Sequence, residues 1–258
     1  PSVVMMIFTS IYSVVDGVFV SNFVGKTPFA AVNLIMPLLI ILGALGFMIG
    51  TGGTAIVAKT LGEGKPELAN QYFSLLVYTG LIGGTAVGVL GILFVRPVAA
   101  ALGAEGQMLE DCVLYARIIL AANPCFILQN IFQSFFVTAE KPKLGLYVTV
   151  GAGLTNIVLD ALLVAVFPMG LAGAAAATAL SQTVGGLVPI LYFLRKNDSL
   201  LRLTKTKFHG KILLKTCANG SSELMSNISA SVVTILYNLQ LMRLAGEDGI
   251  AAYGAIMY

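Results

Sequence analysis

Residues 144–167 read LGLYVTVGAGLTNIVLDALLVAVF, 24 residues in which Asp160 is the sole charge. An apolar run of about 20 residues crosses the hydrocarbon core of a bilayer as a helix, the one open form that satisfies its own backbone there. The rest of the chain repeats the pattern. Of its 258 residues 57% are hydrophobic and only 10% charged, against about 25% charged in soluble domains. Spans are expected at roughly 1–24, 29–58, 68–95, 108–138, 144–167, 171–194 and 211–243, with an eighth beginning near 250. The expected fold class is an all-α integral membrane protein. At about 1.5 Å rise per residue, span two is about 45 Å long, so it tilts or projects beyond the hydrocarbon.

The net charge of +3 gains meaning when it is mapped onto the connections. Eleven of fifteen Lys and Arg fall on one side: Lys59, Lys65, Lys141, Lys143, Arg195, Lys196, Arg202, Lys205, Lys207, Lys211 and Lys215. Lys26, Arg96, Arg117 and Arg243 belong to the other. The positive-inside rule places the 2–3, 4–5 and 6–7 connections in the cytoplasm of a multi-pass protein of the inner (plasma) membrane. The basic segment 195–215 is read as a juxtamembrane loop beside membrane lipid, with no nucleic-acid partner. Cys112, Cys125 and Cys217 stand singly within helical segments and read as small buried hydrophobes. No signal-peptide pattern is present, and the chain is expected to begin inside span one and end inside span eight, as a fragment.

Residues 23–36 (FVGKTPFAAVNLIM) align with 244–257 (LAGEDGIAAYGAIM). Gly25, Ala30, Ala31, Ile35 and Met36 match Gly246, Ala251, Ala252, Ile256 and Met257. Six helices separate the copies, so both run the same way through the membrane, as in parallel repeats of six-helix halves. This divides the chain into a first six-helix lobe (1–194), a polar cytoplasmic linker (195–210) and the truncated start of a second lobe (211–258). Under the same register Asp16 becomes Tyr237, so the second half does not repeat that carboxylate.

Asp16 interrupts a second apolar stretch, MMIFTSIYSVVDGVFVSNFVG. A charged side chain at mid-bilayer costs roughly 3 kcal/mol on insertion scales, so it faces a cavity and marks an ion or proton path. Asn156 lies four residues before Asp160, on the same helical face. Two carboxylates sharing a poorly solvated cavity cannot both stay ionised cheaply. The pair either exchanges a proton or holds Na⁺ with help from the Asn156 carbonyl; no other metal site is indicated. The alternative is that each acid pairs with a polar neighbour for packing alone. Glu223 is a third acid in a span, near its cytoplasmic end, where hydration is the competing explanation. Thr178, Ser181 and Gln182 place hydroxyl and amide groups in a small-residue helix, a pattern that also serves close helix packing. Gln129, Asn130 and Gln133 form a polar face in span four suited to a wet substrate cavity, with Asn33 in span two grouped beside them. Pro37, Pro124 and Pro189 fall mid-helix as candidate bends. No Walker-type phosphate loop appears, and the one histidine, His209, lies in the linker. No catalytic residue and no cofactor other than the coupling ion is expected.

The chain resembles the multidrug and toxic compound extrusion (MATE) transporters along its whole length. The resemblance rests on VDGVFVSNFVG, GTGGTAIVAKTLGEGKPELA, TNIVLD, GLAGAAAATALSQ and ANGSSELMSN. It implies twelve helices in two six-helix lobes around a V-shaped cavity, with this chain supplying the first lobe and about two helices of the second. It further implies a cation site at Asp16, Asn156, Asp160 and Thr178, with Tyr115 as a neighbour and Glu223 near a functional acid of some members. Protonation or sodium binding would bend or shift span one near Pro1. The expected function is H⁺- or Na⁺-coupled antiport exporting drugs and amphipathic organic cations, by the full-length chain acting as a monomer. One alternative is a lipid-linked oligosaccharide flippase of the same superfamily, which calls for cavity arginines where Arg117 alone is available. The other is an intramembrane aspartyl protease, whose YD and GxGD signatures are replaced here by VVDG and IVLDA. Residues 1–258 alone are expected not to transport, because half a cavity exposes its polar lining; vectorial efflux by that segment would contradict this.

Overall fold

The structure, a computed structural model, describes residues 2–257 as helices joined by short turns and one extended connection, 195–209, with no strand among the described residues. α1 (Ser2–Phe19) runs into a π-helical stretch, Val20–Val24. α2 (Lys26–Gly62), α3 (Pro66–Ala101), α4 (Gly106–Ala121) and α5 (Asn123–Thr138) follow. α6 (Pro142–Asp160) also passes into a π-helical stretch, Ala161–Val166, before α7 (Gly170–Leu194) and α8 (Gly210–Met257). Six helices of the described residues are long and apolar enough to cross a membrane, and α4 with α5 makes a seventh. The chain is a multi-pass membrane protein. α3 shows the lipid side plainly, with Ile82, Leu93 and Phe94 all more than half exposed.

Helix ends follow local chemistry. Pro66 and Pro142 sit in the first turns of α3 and α6, where a missing N–H costs nothing. The span expected over 108–138 is two helices, bent by 55° at Ala122. Pro124 supplies the bend, since it has no N–H to continue the ladder. Asn123 at the bend is 3% exposed and donates from Nδ2 to the Gly84 carbonyl of α3 at 3.1 Å. Pro37 and Pro189 instead lie inside the continuous helices α2 and α7. α8 contains both spans expected beyond 211, separated by non-helical backbone at Gly246 (φ 59°, ψ −147°). The expected shift of span one near Pro1 falls on a residue outside the described ones.

Two apolar cores hold the bundle, one toward each end of its helices. The first joins the start of α2, the end of α3, α4 and the start of α7 around Leu34, Ile35, Met108 and Leu120. The second is aromatic. Phe73 of α3, Phe132, Phe135 and Phe136 of α5 and Phe193 of α7 pack with centroids 5.0–6.2 Å apart. Between the cores the helices touch through glycine. Gly46 and Gly50 of α2 lie against the α5 backbone at Ile127 and Asn130, and Gly84 of α3 against Pro124, as small-residue contacts in membranes do. The linker is ordered rather than merely polar. Leu201 is fully buried in the aromatic core, and the N–H groups of Arg202 and Thr204 donate to Asn70 Oδ1 and Ser74 Oγ of α3, both at 2.8 Å. Of the cysteines only Cys112 is buried; Cys125 is intermediate and Cys217 exposed.

Gly220 of α8 packs directly on the Met48 carbonyl of α2, with no room for a Cβ, whereas nothing lies within 4 Å of a Cβ built on Gly83. Gly220→Ala is expected to destabilise by about 1–3 kcal/mol through overpacking. Gly83→Ala should be neutral or stabilising by up to about 1 kcal/mol. Thermal unfolding in detergent reads both, and equal shifts would contradict this seam.

Candidate functional site

Aromatic residues of α1 lie against α6 where α6 has no side chain. A Cβ at Gly153 would come within 2.5 Å of Phe8 and 3.0 Å of Tyr12, so glycine there lets the two helices approach. One turn beyond Tyr12, Asp16 reaches α6, and its carboxyl group interacts directly with that of Asp160. Asp16 is 9% exposed, Asn156 2% and Asp160 0%. Asn156 donates from Nδ2 to Thr178 Oγ1 of α7 in a long contact of 3.5 Å.

The polar accounting is unusual for a buried site. Asp16 Oδ1, Asn156 Oδ1 and both carboxylate oxygens of Asp160 are buried with no hydrogen-bond donor. Buried acceptors are normally paired, and two adjacent carboxylates repel in so apolar a setting. A single cation relieves both costs, either a proton shared between the acids or a hard ion held by oxygen ligands. Among the described residues there is no group of three or more His, Cys, Asp or Glu able to hold a metal ion. The donors are two carboxyls, an amide carbonyl and a hydroxyl, which suits H⁺ or Na⁺ better than a transition metal.

Both acids border π-helical turns. Asp160 immediately precedes Ala161–Val166, and Asp16 stands four residues before Val20–Val24. The two π-helical stretches touch each other. Such turns widen the helix locally and occur disproportionately at functional sites. Nothing in the sequence pattern announces them.

Above the acids lies a cavity of about 200 Å³. Asp16, Asn156, Thr178, Tyr115 and Gln129 of the expected residues line it, joined by Ser181 and Gln182. Asp160, fully buried, is not part of the lining. The rest of the lining includes the apolar side chains Met36, Leu39, Ile40, Ile119, Leu120 and Phe126. Tyr12 and Asn123 complete the lining and were not singled out in the sequence, although Tyr12 lies one turn before Asp16 on the same face. The remaining expected cavity residues lie elsewhere. Asn130 is 7% exposed, donates to the Phe126 carbonyl of its own helix and packs toward Gly46 of α2. Gln133 is half-buried, a turn further along α5. Asn33 lines a separate cavity of about 280 Å³ between α2 and α8, with Asn227, Ser231 and Tyr253. Glu223 is half-buried on α8, where Asn227 donates to its Oε1 at 3.4 Å.

A family model described as MatE matches residues 1–162. The chain is 30% identical over 256 residues to the multidrug export protein MepA of Staphylococcus saprophyticus subsp. saprophyticus, covering 97% of the chain and 56% of that protein. It is 28% identical to the protein of the same name from Staphylococcus haemolyticus, covering 96% and 56%. Among solved structures, one of the inward-facing conformation of a multidrug resistance MATE family transporter of the MOP superfamily superposes with a TM-score of 0.90 at 25% identity, over 96% of this chain and 57% of that one. An outward-facing conformation gives 0.87 at 25% identity, over 98% and 56%. The chain thus spans little more than half the length of the relatives it matches.

A hydrophobic carbodiimide, which attacks only protonated carboxyl groups in apolar surroundings, is expected to modify Asp16 or Asp160 and to do so more as pH falls. Peptide mass spectrometry reads the site. Equal labelling of a variant carrying Asp16→Asn and Asp160→Asn would show that the reagent reacts elsewhere.

Proposed function

We propose that this chain, which belongs to the MatE family, forms the cation-binding part of a coupled antiporter that exports amphipathic, mostly cationic, organic compounds across the inner membrane. One observation carries the reading: four buried oxygen atoms without donors lie beside a cavity lined by both polar and apolar side chains. A cation at Asp16, Asn156 and Asp160 removes the repulsion between the acids and lets α1 settle on α6. Without it, Asp16 is driven toward the cavity, where it attracts a positively charged drug. Cation and drug then compete for the same negative charge, which is what antiport requires. Met36, Leu39, Ile40 and Phe126 offer adaptable apolar contact tolerant of varied shapes. H⁺ and Na⁺ both suit the oxygen set. The similarity to multidrug export proteins supports the substrate class.

In this reading residues 1–194 are the first lobe and 211–258 begin the second. The basic connections 63–65, 139–141 and 195–209 face the cytoplasm, and the full-length chain works as a monomer amid membrane lipid. A flippase for lipid-linked oligosaccharide fits less well, because the cavity carries no arginine to meet pyrophosphate.

The test is drug efflux from vesicles holding the full-length transporter, with pH and sodium gradients imposed separately. Export should follow one gradient, and Asp160→Asn should lower it by about fivefold or more, the range of ordinary coupling energies. Undiminished gradient-driven export by Asp160→Asn would sink the mechanism.

A further inference from the structure

The two copies of the internal repeat meet each other in space, and they meet in a crossed fashion. Gly25 and Gly246 are equivalent in the alignment of 23–36 with 244–257, and both break the helix with positive φ, 116° and 59°. Such φ values favour glycine, so each half turns its chain at the same place by the same means. The next two residues are Lys26 and Thr27 in the first copy, and Glu247 and Asp248 in the second. Lys26 pairs with Asp248, and Thr27 Oγ1 donates to Glu247 Oε2 at 2.9 Å. The first residue of each copy thus meets the second residue of the other, the exchange that a two-fold axis imposes.

Further along, one equivalent pair meets directly and another shares a core, as residues near such an axis do. Asn33 lies on Gly254, its own equivalent, where a Cβ would come within 2.5 Å of the amide. Phe29 and its equivalent Ile250, 6% and 0% exposed, share one apolar core. Asn238, 1% exposed, donates to the Asn33 carbonyl at 3.0 Å and ties α8 to the same place. The seam between α2 and α8 is therefore a pseudo-two-fold interface between the halves.

We propose that Lys26, Thr27, Glu247 and Asp248 form a crossed clasp that joins the two halves at the membrane face opposite the basic connections, and that transport requires it to open. Its chemistry suits a reversible contact. The two donors belong to the first half and the two acceptors to the second, so the register is unique. The ion pair is largely exposed, with the side chains 58% and 71% accessible. Water and salt therefore weaken it, and it parts without the penalty of stranding a buried charge. The consequence for transport rests on the antiport reading; the clasp itself does not.

The experiment uses the full-length transporter with its own cysteines replaced, carrying Lys26→Cys and Asp248→Cys, and a short cleavable bis-thiol cross-linker. The expected result is efficient cross-linking, loss of drug export with drug binding retained, and recovery of export on cleavage. Export by the cross-linked protein at the uncross-linked rate overturns the proposal, and so does a failure to cross-link under any ion or drug condition. If the parent protein exports nothing, the antiport reading fails instead, and cross-linking yield alone decides the clasp. Where the cysteine variants misfold, the charge swap decides. Lys26→Asp alone should lower export, and adding Asp248→Lys should restore it; no restoration overturns the pairing.

Discussion

Asp16 and Asp160 lie close together in the interior beside the Asn156 amide and the Thr178 hydroxyl, and among the described residues no donor reaches the Asp160 oxygens. Much of the remaining structure serves that juxtaposition. Gly153 removes the side chain that would hold α1 off α6. The π-helical stretches after each acid meet and fix the crossing of the two helices. Two cores, one aliphatic and one built on packed phenylalanines, tie the helices around the cavity into continuous packing. Packed interiors switch between discrete arrangements more readily than they deform.

The same economy governs how the halves meet. Lipid tails are as apolar as leucine, so helix association in a membrane relies on close packing and on hydrogen bonds rather than on expulsion of water. α2 and α8 follow that rule. Gly52 of α2 lies against the Thr216 carbonyl, Gly220 of α8 against the Met48 carbonyl, and the polar contacts gather at Lys26, Thr27 and Asn33. The interface thus combines backbone contacts, a buried apolar pair at Phe29 and Ile250, and polar pairs of which Lys26 and Asp248 are the most exposed.

Much of this was legible in the sequence, for a simple reason. Apolar runs of bilayer length are forced into helices, so the spans and the all-helical fold followed from hydropathy, and an acid within such a run stands out by its cost. In the structure Asp16, Asn156, Thr178 and Tyr115 line one cavity, with Asp160 buried close to Asp16, and Pro124 stands at a bend. What remained hidden depends on neighbours. Helical periodicity tells which residues share a face but not which helix that face meets, so Asn130 read as cavity lining while it packs toward α2. The π-helical turns leave no compositional trace, since VSNFV and ALLVAV look like ordinary helix. The order of the linker comes from Leu201 finding an aromatic core that local sequence does not reveal.

The central claim is that the buried acids couple a cation to the drug cavity, and linkage makes this reciprocal: whatever a cation does to drug affinity, the drug does to cation affinity. The most direct measurement is binding of a fluorescent organic cation to the full-length transporter, titrated against protons and, separately, against sodium. Affinity for the dye should fall as one of these cations rises, and that dependence should vanish in the variant carrying Asp16→Asn and Asp160→Asn. The same competition persisting in that variant would contradict the account.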